Sequence, residues 1–384
     1  MRPVLVILLP TLLLAADSPQ LRIQQLTRTP GFVALWDFVT RHPTTRNFTA
    51  ITAPGEPHDF SLVPINYIRE FWNAGRPATL DDFPLLNSGP FGQAILIRPE
   101  TDPDFRPVLL VPRANLHNSG LDVKGPGQSV TLIAWVIRHS GNHAIAGIWH
   151  EGTDLQHHSS SATRVEPGMR QYALFAGLAA NNGASAAHVS ENGRNSFGDR
   201  YARNLSVTPD PIPPESWSVV ALVYDNRRRT VTSYLNGNAA DYWIENPEKH
   251  PFFQWPAKAW GRDYLPPESK PRKRTLLSQD AATRTELHQY EFTRIRVTLD
   301  RRTRKVTHRQ LIALRVNPFF FNHDLYSPPS IDRGGPFTVG RVIHSGRSVG
   351  FTGYIGGVAV FNRALSRADM RRISRIAPNP LPHP

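Results

Sequence analysis

The chain has 384 residues and no cysteine, and it carries a formal net charge of +13 at neutral pH. The absence of cysteine excludes disulfide bonds, a thiolate nucleophile and a zinc–thiolate centre. The fold must therefore be held by its apolar core, and a chain of this length can bury a large one. The surplus of positive charge favours anionic partners over cationic ones.

The first sixteen residues have the composition of a secretory signal. A basic start at Arg2 is followed by an apolar run from Val4 to Leu14, and by Ala15 and Ala16 before a polar residue. This run is shorter than the roughly 20 apolar residues that a membrane helix needs. The sequence therefore predicts a cleaved signal peptide at 1–16 and no transmembrane segment in the mature chain. It predicts a protein that is secreted, or that resides in the periplasm or cell envelope.

Short strands separated by Gly, Asn and Pro turns are predicted along most of the chain. The run Ser129–Ile137 is apolar at both alternating sets of positions, which is typical of a strand inside a two-layer sandwich. Residues 40–115 are expected to be irregular apart from short helices at 66–74 and 80–85. This spacing, without long helices, favours an antiparallel β-sandwich with Trp135 and Trp217 in its core. The other strands predicted before residue 240 are Phe32–Phe38, Leu121–Val123, Ala144–Trp149, Gln171–Leu178, Ala186–Ser190, Val219–Tyr224 and Thr230–Leu235.

Residues 243–330 interrupt this spacing with a long insertion. It begins with an aromatic, proline-rich stretch whose sequence is typical of loops, and Trp243, Trp255, Trp260 and Tyr264 are expected in such loops. It continues as a basic hairpin with strands at Glu291–Leu299 and Lys305–Val316. Between residues 270 and 315, thirteen Lys and Arg residues oppose four Asp and Glu residues, which leaves +9 in this stretch. A field of one sign favours polyanions such as acidic polysaccharide, lipopolysaccharide or nucleic acid. The alternative is a solvated basic ribbon without a ligand.

The run from Gly350 to Ile373 predicts a glycine-marked turn, a strand and a short helix. Ser366 has the sequence signature of an N-cap, because Asp369 follows three residues later. The tail at 377–384 is rich in proline and is expected to be frayed. The strand residues expected to pack inward are Ile355, Val358, Val360 and Phe361.

Two of these segments resemble a known fold family. Trp217–Asp225 and Thr230–Gly237 resemble the central hairpin of laminin-G-like and other concanavalin A-like lectin/glucanase domains, and Gly350–Ser366 resembles their closing strand. The resemblance implies an all-β, concanavalin A-like jelly-roll β-sandwich of antiparallel strands. It implies one domain over 17–376, with insertions near 40–115 and 243–330. It also implies calcium as a cofactor, although no acidic loop assigns ligands to it.

The acidic pattern of glucanases on this fold is missing. Their Glu-x-Asp-x-x-Glu run places a nucleophile and a proton donor on one strand face, and no such run occurs here. The run Arg284–His288 resembles the strand with which alginate-lyase-like members neutralise a substrate carboxylate, but their accompanying strands are not found. We therefore expect a non-catalytic domain. A polysaccharide lyase or glycoside hydrolase is the alternative, and a structural envelope protein is a third interpretation.

A histidine-rich segment follows the strand that ends at Trp149. Its imidazole and carboxylate groups would hold a transition metal if the loop folded back on itself, and a solvated loop is the alternative. The spacing matches no known metalloenzyme. The weak metal-ligand candidates are His150, Glu151, Asp154 and His157.

Aromatic rings and arginines supply the candidates for glycan binding. Sugar rings stack on Trp and Tyr, while their polar groups take hydrogen bonds from neighbouring side chains. Alternation places Arg294 and Arg296 on one strand face, and Arg309 is expected beside them from the partner strand. The sequence predicts a secreted lectin-like or adhesion domain for a polysaccharide or glycan, with a preference for acidic ones, and no specific nucleic-acid partner. The predicted binding residues are Trp243, Trp255, Trp260, Tyr264, Arg294, Arg296 and Arg309.

Overall fold

The computed structural model describes residues 18–140, 144–150, 169–176, 183–194, 206–251, 253–254, 257, 270–343 and 351–376. The signal peptide predicted at 1–16 and the tail at 377–384 lie outside these residues. The described chain is mainly β structure, which confirms the all-β prediction. Its strands are, in chain order, β1 (Phe32–Trp36), β2 (Ile51–Thr52), β3 (Val63–Asn66), β4 (Leu85–Gly89), β5 (Gly92–Ile97), β6 (Pro107–Val111), β7 (Val130–Ser140), β8 (Ala144–His150), β9 (Met169–Ala176), β10 (Ala184–Val189), β11 (Ser206–Pro211), β12 (Trp217–Asp225), β13 (Thr230–Leu235), β14 (Tyr242–Glu245), β15 (Lys273–Gln279), β16 (Thr283–Gln289), β17 (Thr293–Asp300), β18 (Val306–Asn317), β19 (Phe319–Phe320), β20 (Phe337–Val339) and β21 (Thr352–Phe361). The α-helices of the same residues are α1 (Pro19–Thr27), α2 (Tyr67–Trp72), α3 (Arg113–Leu116) and α4 (Arg367–Ile373).

The strands form two antiparallel sheets packed as a sandwich. The larger sheet runs in the order β15-β16-β17-β18-β19-β13-β12-β7-β21-β1-β2, with β14 beside β18 and β5 beside β21. The smaller sheet runs in the order β11-β10-β9-β8-β20-β6-β3. At the centre of the larger sheet, β12 pairs with β7 from Trp217 opposite Ile137 to Tyr224 opposite Val130. The central hairpin predicted from the sequence, β12 with β13, therefore lies in the middle of the fold.

The two apolar faces of β7 belong to two different cores. Leu132 and Val136 point between the sheets into the main core, where they are fully buried. Ile133 and Trp135 point the other way and pack with Met370 of α4 in a second core that also includes Leu26 of α1. The helices at both ends of the described chain thus cover the outer face of the larger sheet. This covering explains why β7 has no polar alternation.

The closing strand and helix agree with the sequence except at one position. The hydroxyl of Ser366 accepts a hydrogen bond from the Asp369 amide at 3.1 Å, and the Asp369 carboxylate accepts one from the Ser366 amide at 3.2 Å. This is the predicted capping box. The correction concerns Phe361, which lies in the second core, whereas Val360 lies in the main core. Consecutive strand residues point to opposite faces, so both cannot pack inward together.

The segment at 40–115 is more regular than its sequence indicates. Five strands, β2 to β6, lie within it, and β3 and β6 form one edge of the smaller sheet. These strands are short, and turns and prolines interrupt them, so alternation is difficult to detect. The helix expected at 66–74 is found as α2, and a 3₁₀ turn lies at Leu80–Asp82.

Two further expectations differ from the structure. The strand predicted at Leu121–Val123 is a turn region, and the side chain of Asp122 is fully buried there in an ion pair with Arg113 at 2.7 Å. Trp217 is only partly buried, because it lies at the end of β12. Its indole ring lies beside Gly356 of β21. A Cβ atom at Gly356 would come within 2.5 Å of that indole ring, so the contact requires glycine.

The larger sheet continues beyond the sandwich as a four-stranded ribbon. The ribbon comprises β15, β16, β17 and β18, and each strand pairs with the next. Its last two strands are the hairpin predicted at Glu291–Leu299 and Lys305–Val316, and β14 pairs with the far side of β18. Among the described residues, no helix has the length and apolarity needed to cross a bilayer.

Candidate functional site

The ribbon has one packed face and one exposed face. Along β17, Ile295 and Val297 are 4% and 2% exposed, whereas the side chain of Arg294 is 30% exposed and Arg296 is exposed. Strand residues point alternately to the two faces, so this pattern assigns both arginines to the exposed face. A ligand in solution can therefore reach this face of β17.

Strand register identifies the side chains that share this exposed face. Arg294 and Glu245 lie opposite the same residue, Ala313, and Arg296 lies opposite Gln310. Residues directly opposite one another in an antiparallel pair point to the same face. We call this surface the basic platform. The members that bear on ligand binding are Trp243, Glu245, Lys273, Arg294, Arg296, His308 and Gln310.

Trp243, Arg294 and Glu245 form the structured centre of the platform. The Arg294 guanidinium carbon lies 4.4 Å from the centroid of the Trp243 ring, and its Nη1 donates to Glu245 Oε1 at 2.8 Å. The ion pair is partly exposed and contributes about 0.2–1 kcal/mol, and the cation–π contact adds about 0.5–1 kcal/mol. These contacts hold Arg294 over the ring. Most of its five N–H donors remain available to a ligand.

Arg296 is the platform arginine without a carboxylate partner in the described part of the chain. Its Nη1 donates to Gln310 Oε1 at 3.1 Å, and no carboxylate of the described residues lies within ion-pair distance. Elsewhere in the ribbon Arg272 pairs with Glu291 at 2.9 Å and Arg284 pairs with Glu286 at 2.6 Å. Among the platform members named above, three Lys and Arg side chains stand against one Glu, so three minus one leaves a formal charge of +2 on Lys and Arg over Glu.

The structure separates Arg309 from the other two predicted arginines. Arg309 lies opposite Val297, so it points to the face of the ribbon that holds Ile295 and Val297. The expectation that Arg309 would lie beside Arg294 and Arg296 is therefore wrong. Sequence alternation fixes the face of each residue within one strand, but only the register between strands decides which residues become neighbours.

Of the four aromatic residues predicted to bind glycan, the structure describes one. Trp243 belongs to strand β14 and not to a loop, and it is partly buried beneath Arg294. Trp255, Trp260 and Tyr264 lie outside the described residues. Three platform members, Lys273, His308 and Gln310, are not predicted from the sequence. Alternation along β15 and β18 shows which residues of each strand share a face. The register between strands is needed to show that these residues lie on the same face as Arg294 and Arg296.

Arg284, Glu286 and His288 form a compact trio on the packed face of the ribbon. The Glu286 carboxylate accepts from Arg284 Nε at 2.6 Å and lies 2.7 Å from His288 Nε2. The hydrogen bond with His288, followed by that with Arg284, lowers the pKa of Glu286 below its usual range. A lyase would use the arginine to neutralise a substrate carboxylate. Here Glu286 already neutralises Arg284, so the trio is a satisfied ion-pair network.

The metal-ligand candidates are not assembled in the described chain. His150 is buried at the end of β8, where its ring lies edge-on to Phe71 at 5.6 Å. Glu151, Asp154 and His157 lie outside the described residues. Within the part of the chain that the structure describes, no group of three or more His, Asp or Glu side chains could hold a metal ion.

Comparisons with known proteins return likenesses of fold at low identity. No protein-family model and no curated protein matches the chain. The structure resembles domain 4 of AbnA, a GH43 extracellular arabinanase from Geobacillus stearothermophilus in complex with arabinotriose. The TM-score is 0.39 and the identity 10%, and the match covers 89% of this chain and 98% of that one.

Two further solved structures are similar to the same degree. The Ruminococcus gnavus IT-sialidase CBM40 bound to α2,3-sialyllactose matches at a TM-score of 0.35 and 12% identity, over 73% of this chain and 95% of that one. A botulinum neurotoxin type C chain matches at 0.36 and 7% identity, over 92% of this chain and 52% of the toxin chain. All three TM-scores are below 0.5, so these likenesses carry no argument about function. The function proposed next depends on the side chains of this chain.

Proposed function

We propose that this chain is a secreted, non-catalytic carbohydrate-binding domain of the concanavalin A-like, laminin-G-like type, and that its basic platform binds an acidic polysaccharide. One observation carries the proposal. An indole ring, a positioned arginine and an arginine that no described carboxylate neutralises share one exposed sheet face; they are Trp243, Arg294 and Arg296. An acidic sugar can stack its ring on an aromatic side chain, and its acidic group can form charge-assisted hydrogen bonds with a guanidinium group.

The spacing of the platform suits a repeating polymer. Neighbouring strands lie about 4.8 Å apart, and residues two apart along a strand lie about 6.7 Å apart. Arg294 and Arg296 therefore present guanidinium groups at intervals comparable with the length of a sugar unit. Gln310 and His308 add polar groups that can bond sugar hydroxyls. A flexible anionic chain lying across the ribbon would meet cations on more than one strand.

Salt dependence tests the proposal. We expect binding to a polyuronate to weaken steeply between low and high salt, because charges on an exposed surface are screened over about 8 Å at physiological ionic strength. A neutral glucan should bind weakly and show little dependence on salt. Trp243→Ala should reduce binding to the polyuronate at both salt concentrations, because it removes the ring and the surface that positions Arg294. Equal affinity for both polymers, or binding independent of salt, would contradict the proposal.

The same samples test the catalytic alternative, a polysaccharide lyase or glycoside hydrolase. A lyase would generate unsaturated uronate ends that absorb in the short-wavelength ultraviolet, and a hydrolase would generate new reducing ends. We expect neither during prolonged incubation with the bound polyuronate. Product formation would refute the non-catalytic part of the proposal while leaving the binding part intact. Repeating the binding measurement with a calcium chelator tests the cofactor that the family resemblance implies, since loss of binding would establish a requirement for calcium.

A further inference from the structure

A second group of arginines lies at a polar cleft outside the ribbon. The cleft has a volume of about 240 Å³ and lies between the turn after β13 and helix α4. Tyr234, Asn236 and Asn238 line one side of it, and Arg367 and Arg371 line the other. All five side chains carry polar groups, and both charged ones are cationic.

Local sequence rules explain how the cleft is built. The turn after β13 places Asn236 and Gly237 in the left-handed backbone region, at φ of 50° and 75°. A Cβ atom at Gly237 would lie 2.3 Å from the Ser374 hydroxyl, so glycine allows α4 to pack directly on the turn. Arg367 and Arg371 are four residues apart, which places them on the same face of the helix.

No carboxylate among the described residues balances the positive charge at this cleft. No carboxylate of these residues lies within 4 Å of the guanidinium groups of Arg367, Arg371 or the neighbouring Arg228. The nearby acids are engaged elsewhere, because Asp369 pairs with Arg372 at 3.2 Å and Asp225 accepts from the amide of Arg228 at 3.1 Å.

Tyr234 lies at the wall of the cleft with Arg367 and Arg371, and this tyrosine is 4% exposed. Burial raises the pKa of Tyr234, and Arg367, Arg228 and Arg371 each act against that rise. Arg367 and Arg371 are like charges one helical turn apart at the same cleft, so they repel one another. An anion placed between them would relieve that repulsion.

We propose that this cleft binds a tetrahedral oxyanion, the sulfate or phosphate group of an anionic ligand. The guanidinium groups of Arg367 and Arg371 provide the planar forks that match two oxygens of such a group. The Tyr234 hydroxyl and the Asn238 amide supply further polar contacts at the wall of the cleft. A dianion balances the local charge better than a single carboxylate does. This site uses none of the platform residues, so it stands independently of the glycan-binding proposal.

Calorimetric titration with inorganic sulfate and inorganic phosphate tests the site, with sodium chloride used to hold ionic strength constant. A parallel titration with sodium acetate measures the affinity of the chain for a carboxylate. We expect the wild-type chain to bind sulfate or phosphate more tightly than acetate, and the relative affinities of the two tetrahedral ions identify the type of group. Arg367→Gln and Arg371→Gln should each weaken the binding about tenfold, because each removes a charge-assisted hydrogen bond.

A matched control separates the site from general surface charge. Arg375→Gln removes the same charge from an exposed residue just beyond α4 that does not line the cleft. This variant should retain wild-type affinity, and an unchanged thermal midpoint for all three variants would show that each is folded. The proposal is overturned if sulfate and phosphate bind no better than acetate, or if Arg375→Gln weakens binding as much as Arg371→Gln. A platform variant such as Arg296→Ser should leave sulfate affinity unchanged, which keeps the two proposals distinguishable.

Discussion

Trp135 joins the central strand of the larger sheet to the end of the described chain. Its side chain is fully buried, its ring lies edge-on to Phe91 at 4.8 Å, and its Nε1 donates to the carbonyl of Ile376 at 2.5 Å. Trp135→Ala should lower the free energy of unfolding by about 3–5 kcal/mol, because it leaves a cavity in the second core. Trp135→Phe retains much of the ring but loses the hydrogen bond, so it should cost about 1–2 kcal/mol.

Equilibrium unfolding in urea, followed by circular dichroism, measures both changes without depending on tryptophan fluorescence. Trp217→Ala is the matched control, because this indole is only partly buried. Its loss should cost about 1–2 kcal/mol, in proportion to the smaller apolar surface that it buries. A Trp135→Ala variant within 1 kcal/mol of wild type, or equal to Trp217→Ala, would refute the second core as described here.

Two further predictions concern charge. Burial raises the pKa of Asp122, but hydrogen bonds from groups including Lys124 and Arg113 outweigh burial and hold that pKa below its usual range. The carboxylate therefore stabilises the fold above its unfolded pKa and loses this effect as pH falls through the lower folded value. The stability difference between wild type and Asp122→Asn should be constant at neutral pH and shrink below about pH 4, and a constant difference throughout would be contrary to this account. A double-mutant cycle on Arg294 and Glu245 should give a coupling of about 0.2–1 kcal/mol that decreases with salt, and zero coupling at low salt would show that the pair is not formed in solution.

The sequence predicted the sandwich because its central strands carry unusually clear patterns. β7 is apolar on both faces, β13 is bounded by turn residues, and Ser366 with Asp369 forms a capping box. Each of these signals is local, so it can be recognised without knowledge of the fold. The strands within 40–115 were missed because they are short, and their place in the sheets depends on partners far away in sequence.

The candidate site was predictable only in part, for a related reason. Alternation along a single strand correctly placed Arg294 and Arg296 on one face of β17. The position of Arg309 depended on which residue of β17 it faces, and that register is set by packing and by the irregularities between β17 and β18. Trp243 was predicted in a loop, because its strand is four residues long and pairs with β18 about seventy residues later. Contacts of this kind are determined by tertiary structure and leave no local pattern.

The most direct test of the central claim compares two arginines that differ mainly in the face of the ribbon they occupy. Arg296→Ser and Arg309→Ser remove the same charge from the same ribbon, but only Arg296 belongs to the basic platform. The measurement is the affinity of each variant and of wild type for a polyuronate at low salt. The account predicts that Arg296→Ser weakens binding about tenfold while Arg309→Ser stays close to wild type, since a charge-assisted contact is lost only in the first. Equal losses in the two variants would show that the ribbon acts through its overall charge, and wild-type binding by Arg296→Ser would show that the platform is not the binding site.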